Sequence, residues 1–397
     1  MNRSQITFGE ISELRNGVNF VVTDRGVTTR VVGVGNFQAR SEISEYDDLS
    51  EIQLKGDLSP EDELCDGDLL FVRSNGNKNL VGRCLVIRRP PRGITFSGFT
   101  IRARLDKSTA LPDYIALVFQ GGALNRQMAL AGGGNGNISN LNQSLLASIP
   151  LTLPDINEQK HIVTCVSTWD TAIETTERLI AAKERHHGCL LASLLNSKAA
   201  RQSWKTVEIG TIIHERSERS TQHDEHPVLT SSRRGLFLQS EYFSKQVTSK
   251  NNTGYKIMQR GDFTFRSMSD DGRFVFNRLD KYDHGIISPA YGVFYANGAS
   301  PEFLAHYLNS SYFAQLLTRQ TQGGTRKALR FSALADMEAD LPKHTDQERI
   351  ASILDTSRHE ISLLHMQLDM LHRQKRGLMQ KLLTGKWRIP IKQGVPT

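Results

Sequence analysis

Apolar residues recur at spacings of three and four along two separate stretches of the chain, each beginning just after a Leu-Pro pair. This spacing places the apolar side chains on one face of an α-helix, and its persistence over several heptads is typical of a coiled coil. Each stretch predicts a helix of about 38 residues, which is roughly 57 Å long at 1.5 Å per residue. The apolar positions are Ile162, Val166, Trp169, Ile173, Ile180, Leu190 and Leu194 in the first stretch, and Ile350, Leu354, Ile361, Leu364, Leu368, Leu371, Leu378 and Leu382 in the second.

The second stretch repeats the first in register. The alignment needs no gap for over forty residues, and every equivalent position lies 188 residues further along the chain. A long helix with a continuous apolar stripe needs a partner to cover that stripe, and the other copy is the nearest candidate. The sequence therefore predicts an intramolecular, antiparallel two-helix coiled coil; two unrelated amphipathic helices on separate domains are the alternative. The residues shared by the two helix starts are Leu153, Pro154, Gln159 and Ile162 in the first copy and Leu341, Pro342, Gln347 and Ile350 in the second.

Local signals mark the ends of both predicted helices. Pro154 and Pro342 each precede polar residues with an acid near the first turn, as is common at helix starts. Gly385 is the kind of residue that ends a helix. His187 and Lys375 place a polar residue at the same position of each stripe, where a register-setting or partner-facing layer is expected.

The segments outside these helices, residues 1–153 and 204–341, contain short runs of β-branched and aromatic residues separated by glycine-rich turns. Such patterns predict mixed α/β units with many strands. Each segment has a Gly-Asp turn leading into a strand that ends in an Arg-Ser pair, then a helix that starts at a proline, and then a glycine-rich loop. In chain order these features are Gly67–Ser74, Pro112 and Gly132–Asn137 in the first segment, and Gly261–Ser267, Pro301 and Gly323–Lys327 in the second.

The charge balance favours a polyanionic partner without identifying one. The chain has 49 Lys and Arg against 42 Asp and Glu, for a formal charge of +7, and its pI is near 9.2. Seven of the basic residues and no acid lie between His372 and Thr397, so the C-terminal end is a basic tail.

The cysteines and the hydropathy pattern bear on the location of the protein. The four cysteines form no Cys-x-x-Cys pair, and no apolar run follows a basic start at the N-terminus as in a secretory signal. No stretch approaches the roughly 18 uninterrupted apolar residues of a membrane-spanning helix. We therefore expect a soluble, cytoplasmic protein that does not bind a membrane.

The two globular segments share a framework but differ at most positions, which suits two different targets of the same chemical kind. The order of domain, helix, domain and helix resembles that of the specificity subunit of Type I restriction-modification systems, and the resemblance covers essentially the whole chain. It is sharpest in the Leu-Pro-x-x-x-x-Gln-x-x-Ile helix entry and in the segment Leu378–Arg388 at the end of the second helix.

The resemblance implies an α/β (α+β) fold in which a long antiparallel two-helix coiled coil separates two pseudo-symmetric target-recognition domains. These domains would occupy residues 1–153 and 204–341, the long helices residues 154–203 and 342–388, and the basic tail residues 389–397.

The resemblance also implies the function and the partners. In this family each globular domain reads one half of a split double-stranded DNA sequence, and the helices set the gap between the halves. The helices also dock two methyltransferase subunits, which use S-adenosylmethionine, while restriction subunits add translocation and cleavage with ATP and Mg²⁺. The chain itself would bind no cofactor or metal, would be non-catalytic and would associate with the nucleoid.

Candidate contact residues follow from these roles. A polar loop at a strand end offers both side chains that hydrogen-bond to bases and donors to phosphates, although glycine- and asparagine-rich loops can also be simple turns. The predicted DNA-contacting residues are Arg73, Ser74, Asn75, Asn77, Lys78, Asn135 and Asn137 in the first domain, and Arg266, Ser267, Thr325, Arg326, Lys327 and Arg330 in the second. The predicted coiled-coil and methyltransferase-docking residues are Ile162, Val166, Trp169, Ile173, Ile180, Leu194, Ile350, Leu354, Ile361, Leu368 and Leu382.

Several patterns suggest catalysis but lack the rest of a site. Asp155 and Glu158 have the residue types of a nuclease metal site, yet they fall in the first turn of a predicted helix, where acids serve exposed N–H groups. The glycine-rich loops lack the Gly-Lys-Ser/Thr ending of a nucleotide-binding loop. His223 and His226 have no second ligand pair at metal-binding spacing. A coiled-coil adaptor that does not bind DNA, a self-contained restriction or methylation enzyme, and the specificity part of a methyltransferase-only system are the alternatives.

Overall fold

The computed structural model describes residues 4–20, 26–37, 40–77, 80–121, 140–242, 251–320 and 327–389. The chain divides into two compact units. The first unit consists of Met1–Thr176 and Gln367–Thr397, and the second of Glu177–Met366. Each unit therefore contains one globular part together with a segment of each long helix.

The two long helices are the largest elements of the fold. The first spans 36 residues and continues into a π-helical turn at Ala192–Asn196, and the second spans 40 residues. In chain order the helices are α1 (Pro112–Gln120), α2 (Gln143–Ala147), α3 (Ile156–Leu191), α4 (Lys198–Arg201), α5 (Gln239–Tyr242), α6 (Pro301–Tyr307), α7 (Ser311–Gln320), α8 (Phe331–Ala335) and α9 (His344–Leu383).

Strands of the first unit form a five-stranded sheet in the order β2-β9-β6-β7-β4, a three-stranded sheet in the order β5-β3-β8, and a separate β1–β10 pair. Two interior strands of the larger sheet, β6 and β7, consist of four buried residues each, as expected for a sheet covered on both faces. The strands are β1 (Ser4–Thr7), β2 (Ser12–Asn16), β3 (Val27–Val32), β4 (Glu42–Ile43), β5 (Ser50–Leu54), β6 (Leu69–Val72), β7 (Cys84–Ile87), β8 (Ile94–Phe96), β9 (Thr100–Leu105) and β10 (Pro150–Leu153).

The main core of the first unit joins this sheet to the long helices. Phe8, Phe71 and Phe119 pack edge to face, with ring centroids 4.7 to 5.8 Å apart. Ile162 of α3 and Leu382 of α9 belong to the same buried cluster. The ends of the two helices are thus held by the apolar core of the globular part.

Strands of the second unit form a four-stranded sheet in the order β12-β20-β16-β18 and four two-stranded pairs, β11–β22, β13–β14, β15–β19 and β17–β21, within the described residues. Its core includes Leu354 of α9 and Leu195 of the π-helical turn that continues α3, and Leu190 and Leu191 of α3 pack against it. The strands are β11 (Lys205–Glu208), β12 (Ile213–Glu215), β13 (Leu229–Ser232), β14 (Gly235–Leu238), β15 (Lys256–Gln259), β16 (Phe263–Arg266), β17 (Met268–Ser269), β18 (Asn277–Arg278), β19 (His284–Ile287), β20 (Tyr291–Ala296), β21 (Lys327–Ala328) and β22 (Glu338–Leu341).

The long helices run antiparallel within each unit. In the first unit Asp170 of α3 pairs with Lys375 of α9. In the second unit Lys183 of α3 pairs with Glu360 of α9 at 2.7 Å, and His187 lies 3.2 Å from the hydroxyl of Ser357. The partner's number falls as the number along α3 rises. The predicted mixed α/β fold with a long antiparallel helix pair is confirmed.

The internal repeat is also a repeat of structure. Strands β10 and β22 occupy positions 188 residues apart, as do helices α2 and α8. Strand β1 pairs with β10 in the first unit, and β11 pairs with β22 in the second, both antiparallel. The constant spacing of 188 residues between the two copies therefore extends beyond the long helices into the last part of each globular segment.

A glutamine fixes the start of each long helix to the globular part that precedes it. The Gln159 amide accepts a hydrogen bond from the Leu111 N–H at 2.9 Å and donates to the carbonyls of Thr109 and Pro154. Gln347 accepts from the Ser300 N–H at 2.9 Å and donates to the Pro342 carbonyl. Leu111 and Ser300 immediately precede α1 and α6. In each unit the glutamine amide therefore joins the start of a long helix to the start of a short one.

Among the described residues, no helix combines the length and the apolar character needed to cross a membrane.

Candidate nucleic-acid interface

A buried aspartate anchors the start of the strand that leads to the predicted contact loop in each unit. Asp68 accepts hydrogen bonds from the Cys65 N–H at 2.7 Å and from the Arg104 guanidinium at 2.8 and 2.9 Å. These bonds raise the pKa of Arg104 above its ordinary value. Asp262 likewise accepts hydrogen bonds from the Gln259 N–H and from Arg216, which follows β12. Burial outweighs these bonds and raises the pKa of Asp262 above its ordinary value.

The glycine before each aspartate makes the turn possible. Gly67 and Gly261 have φ values of +85° and +91°, in the left-handed region that favours glycine. The repeated Gly-Asp pair therefore forms the turn that precedes β6 and β16 at equivalent places.

The two predicted Arg-Ser pairs are not equivalent once the strands are aligned on these turns. The Arg73 carbonyl accepts a hydrogen bond from the Leu141 N–H at 2.7 Å, and the Ser267 carbonyl accepts one from the Leu329 N–H at 2.9 Å. Leu141 and Leu329 lie 188 positions apart, so Arg73 corresponds to Ser267. The predicted pairing of Arg73 with Arg266 is therefore wrong by one residue. Successive side chains of a strand point to opposite faces of its sheet. Because Arg266 is one residue out of step with Arg73, the two arginines are expected to point to non-equivalent faces of their respective sheets.

The contact loop of the first unit is an ordered turn beside an exposed aromatic ring. Arg73 is half-buried, and its guanidinium donates to the Gly98 carbonyl at 3.4 Å. Ser74 forms a β-bridge with Asn140. The Asn75 side chain accepts a hydrogen bond from the Asn77 N–H at 2.7 Å, which closes a short turn.

Sequence reasoning missed the aromatic residue at this place. Phe99, in the turn between β8 and β9, is 63% exposed and lines a shallow cavity of about 400 Å³ with Val34, Ser74, Asn75 and Gly76. Phe99 is a single aromatic residue in a turn and belongs to no periodic pattern in the sequence. Its position beside the contact loop is therefore visible only in the folded structure. The predicted contact residues Lys78, Asn135 and Asn137 lie outside the described residues.

The predicted residues of the second unit that the structure describes lie within or next to the short β17–β21 pair in the sequence. Arg266 is exposed at the end of β16, and Lys327 is half-buried opposite Ser269. Arg330 is exposed at the start of α8, where its carbonyl accepts from the Leu334 N–H. The predicted residues Thr325 and Arg326 lie outside the described residues.

A basic groove lies next to this strand pair, and the sequence alone identified only one of its cations. The groove has a volume of about 1070 Å³ and is lined by side chains from the β13–β14 hairpin, the segment 271–278, α7, Lys327 and α9. Its basic residues are Arg233, Arg234, Arg273, Arg278, Lys327 and Arg358, and its acidic residues are Asp271 and Asp280.

The predicted coiled-coil residues divide into two groups by burial. Buried side chains are already covered in the folded chain, so docking of another subunit would depend on exposed positions. Exposed apolar residues that the prediction missed lie along α9, at Leu363, Met366 and Met370. The buried group is Ile162, Val166, Ile173, Ile180, Ile350, Leu354 and Leu382, and the half-buried group is Trp169, Leu194, Ile361 and Leu368.

The acids that suggested a nuclease site serve the start of α3. The Asp155 carboxylate accepts a hydrogen bond from the Glu158 N–H at 2.9 Å, as an N-cap does. At the equivalent place before α9, the backbone carbonyl of Lys343 accepts hydrogen bonds from the Asp346 and Gln347 N–H groups. In the part of the chain that the structure describes, no group of three or more His, Cys, Asp or Glu side chains is placed to hold a metal ion.

Two Type I restriction enzyme specificity subunits match parts of the chain. The specificity subunit of the Type I restriction enzyme EcoKI from Escherichia coli is 28% identical over 172 residues, which are 43% of this chain and 36% of that protein. The MjaVIII specificity subunit from Methanocaldococcus jannaschii is 20% identical over 287 residues, 64% of this chain and 65% of that protein. The chain thus spans about a third and just under two thirds of the lengths of these two relatives.

A solved structure shares the fold over nearly the whole chain. The crystal structure of the HsdS subunit from Thermoanaerobacter tengcongensis matches with a TM-score of 0.56 and 16% identity, covering 97% of each chain. At this identity the likeness establishes the fold.

The family is established by a sequence profile. The profile described as Type I restriction modification DNA specificity domain matches residues 99–184 and 202–371, which together make up more than half of the chain. One match lies mainly in the first unit and the other mainly in the second. The chain therefore belongs to the Type I restriction modification DNA specificity domain family.

Proposed function

We propose that this chain is the DNA-recognition subunit of a Type I restriction-modification complex, and that each unit contacts one half of a bipartite double-stranded target. The observation that carries the proposal is the shared backbone framework with different side chains at equivalent positions. Arg73 and Ser267 occupy the same backbone position, for example, but differ in charge, length and hydrogen-bonding capacity. Such a pair of domains suits two different half-sites.

The long helices fit a role as a spacer between the half-sites. Two recognition units must meet the duplex on faces set by its repeat of about 10 to 10.5 base pairs, so a stiff connection fixes the number of unread bases between them. Helices α3 and α9 each contribute residues to both units and carry apolar side chains on their surfaces. We assign to them the docking of two methyltransferase subunits.

The chemistry belongs to the partner subunits in this proposal. Methyltransferase subunits use S-adenosylmethionine to modify adenine, and restriction subunits use ATP and Mg²⁺ for translocation and cleavage. This chain contributes recognition, spacing and docking, and acts in the cytoplasm on nucleoid DNA.

Methylome sequencing tests the proposal directly. The chain is co-expressed with a methyltransferase subunit in cells free of other adenine methylation, and modified adenines are mapped. We expect one motif with two specified halves and a fixed unread gap. A continuous motif, or no methylation by a complex that assembles, contradicts the proposal.

A further inference from the structure

The basic groove of the second unit concentrates positive charge at one place on the folded chain. Six of its lining side chains are basic and two are acidic. They come from four separate places in the sequence, so the concentration of positive charge exists only in the folded unit. A groove with this charge favours a polyanion.

Hydrogen bonds cross-link the wall of the groove that residues 269–273 form. The Ser269 hydroxyl is 3.0 Å from the Asp271 carboxylate and donates to the Arg273 carbonyl at 2.8 Å. The Arg273 N–H donates to the same carboxylate at 3.2 Å. The other carboxylate oxygen of Asp271 pairs with Arg233, which ties this turn to the β13–β14 hairpin. These contacts lower the pKa of Asp271 to about 2, so the tie persists at neutral pH.

Close packing against a glycine positions Lys327 in the groove. Gly272 has a φ of +76°, and a Cβ placed on it would lie 2.7 Å from Cδ of Lys327. The aliphatic part of Lys327 therefore lies over the glycine, which keeps the ammonium group beside the turn. Any side chain at position 272 would displace it.

The cations of the groove differ in how far they are already neutralised. Arg278 pairs with Asp280 at 2.6 Å and with Glu302 at 2.9 Å, so it forms part of the wall. Within the described part of the chain, Arg273, Lys327 and Arg358 take part in no ion pair. Arg273 and Arg358 are exposed, and Lys327 is half-buried. Arg233 pairs with Asp271, and Arg234 lies over the Tyr242 ring, 5.5 Å from its centroid. The three cations that remain for a ligand are Arg273, Lys327 and Arg358.

We propose that this groove binds phosphates of the DNA backbone, with Arg273, Lys327 and Arg358 as the phosphate-contacting residues. The proposal rests on the proposed function and goes beyond it by assigning the phosphate contacts of the second unit. Phosphate contacts fix the position of a protein on the duplex but carry no direct sequence information. The groove therefore contributes affinity and orientation, while base discrimination comes from other residues.

Salt dependence of binding is the property that distinguishes this role. Each phosphate neutralised by a cation releases condensed counterions, and the slope of log K against log salt changes by about 0.9 per contact. A base contact, in contrast, changes affinity for one sequence over another. Loss of two groove cations should lower the magnitude of the slope by roughly 1.8, and by the same amount for duplexes of different sequence.

The experiment uses the full chain and a fluorescent duplex of about 40 base pairs, with affinity measured by anisotropy between about 50 and 200 mM KCl. The groove variant is Arg273→Gln with Lys327→Gln, in which glutamine keeps part of the stem. The control variant is Arg185→Gln with Arg349→Gln, which removes the same charge from exposed positions of α3 and α9 outside the groove. Circular dichroism verifies that each variant is folded.

The expected result is a reduced slope for the groove variant and a near-unchanged slope for the control. Equal slopes for the two variants would overturn the groove proposal, because net charge alone would then explain the effect. Should the double variant not fold, Arg358→Gln changes one exposed helix residue and is expected to lower the slope by about 0.9; an unchanged slope rejects the proposal.

Two further outcomes separate this proposal from the proposed function. If the unaltered chain shows no salt-dependent affinity for DNA, the proposed function fails as well. If the groove variant binds DNA like the unaltered chain but no longer binds a methyltransferase subunit, the groove is a protein-docking site and the phosphate assignment is wrong.

Discussion

Replacement of Gln159 by leucine should be among the most destabilising single changes in the first unit. The side chain is fully buried and makes three hydrogen bonds, to the Leu111 N–H and to the carbonyls of Thr109 and Pro154. Leucine has a similar volume but cannot bond to any of these groups. At a net value of about 1 kcal/mol per hydrogen bond, the change costs about 3 kcal/mol.

The repeat supplies an internal comparison for this prediction. Gln347 is equivalent to Gln159 and also buried, but the structure describes two such hydrogen bonds for its side chain, to Ser300 and Pro342. Gln347→Leu is therefore expected to cost about 2 kcal/mol. Gln380→Leu, at an exposed position of α9, is the matched control, and a change within about 0.5 kcal/mol is expected there.

Urea unfolding followed by circular dichroism measures the three free energies. The expected order of destabilisation is Gln159→Leu, then Gln347→Leu, then the control. If Gln159→Leu unfolds with the same free energy as Gln380→Leu, the amide does not hold the two helix starts together, and its repetition needs another explanation.

Three other predictions concern recognition, pH and docking. Arg73→Ala should change methylation at one half-site, and Arg266→Ala should change at most the other; methylome mapping decides, and identical effects on both halves contradict the assignment to separate units. Burial lowers the pKa of His306 despite its 2.8 Å contact with Asp355, so the unfolded chain binds a proton more readily. The free energy of unfolding should therefore fall as pH drops through about 6.5, and a His306→Gln variant with the same pH dependence in urea titrations would exclude this histidine as the cause. Met370→Gln, at a side chain 55% exposed, should weaken binding of a methyltransferase subunit roughly tenfold in a pull-down titration, because an apolar contact of about 1–2 kcal/mol is lost; unchanged affinity places docking elsewhere.

The predicted elements were most successful where one periodicity extends over many residues. The apolar stripes of α3 and α9 predicted both helices and their pairing, because a stripe of this length must be covered. The Gly-Asp turns and the proline helix starts at Pro112 and Pro301 were also visible, since each depends on local backbone chemistry.

The predicted contact residues were less secure, because their placement depends on strand alignment. The short repeated pattern suggested that Arg73 matched Arg266, but the backbone hydrogen bonds within each unit show that Arg73 corresponds to Ser267. A shift of one residue moves a side chain to the other face of a strand. The repeated Arg-Ser dipeptide alone therefore cannot determine which arginine faces a ligand.

The sequence by itself determined the duplicated plan, the two long helices and the glutamines that recur at their starts, because these features follow from periodicity and from residue identity at a constant spacing of 188. Only the tertiary structure decided what those glutamines bond to, which side chains of the helices are covered, and where positive charge accumulates. The groove cations Arg233, Arg273, Lys327 and Arg358 are spread over more than a hundred positions. The strands and helices that carry them meet only when the second unit buries its core, so no local pattern could have grouped them.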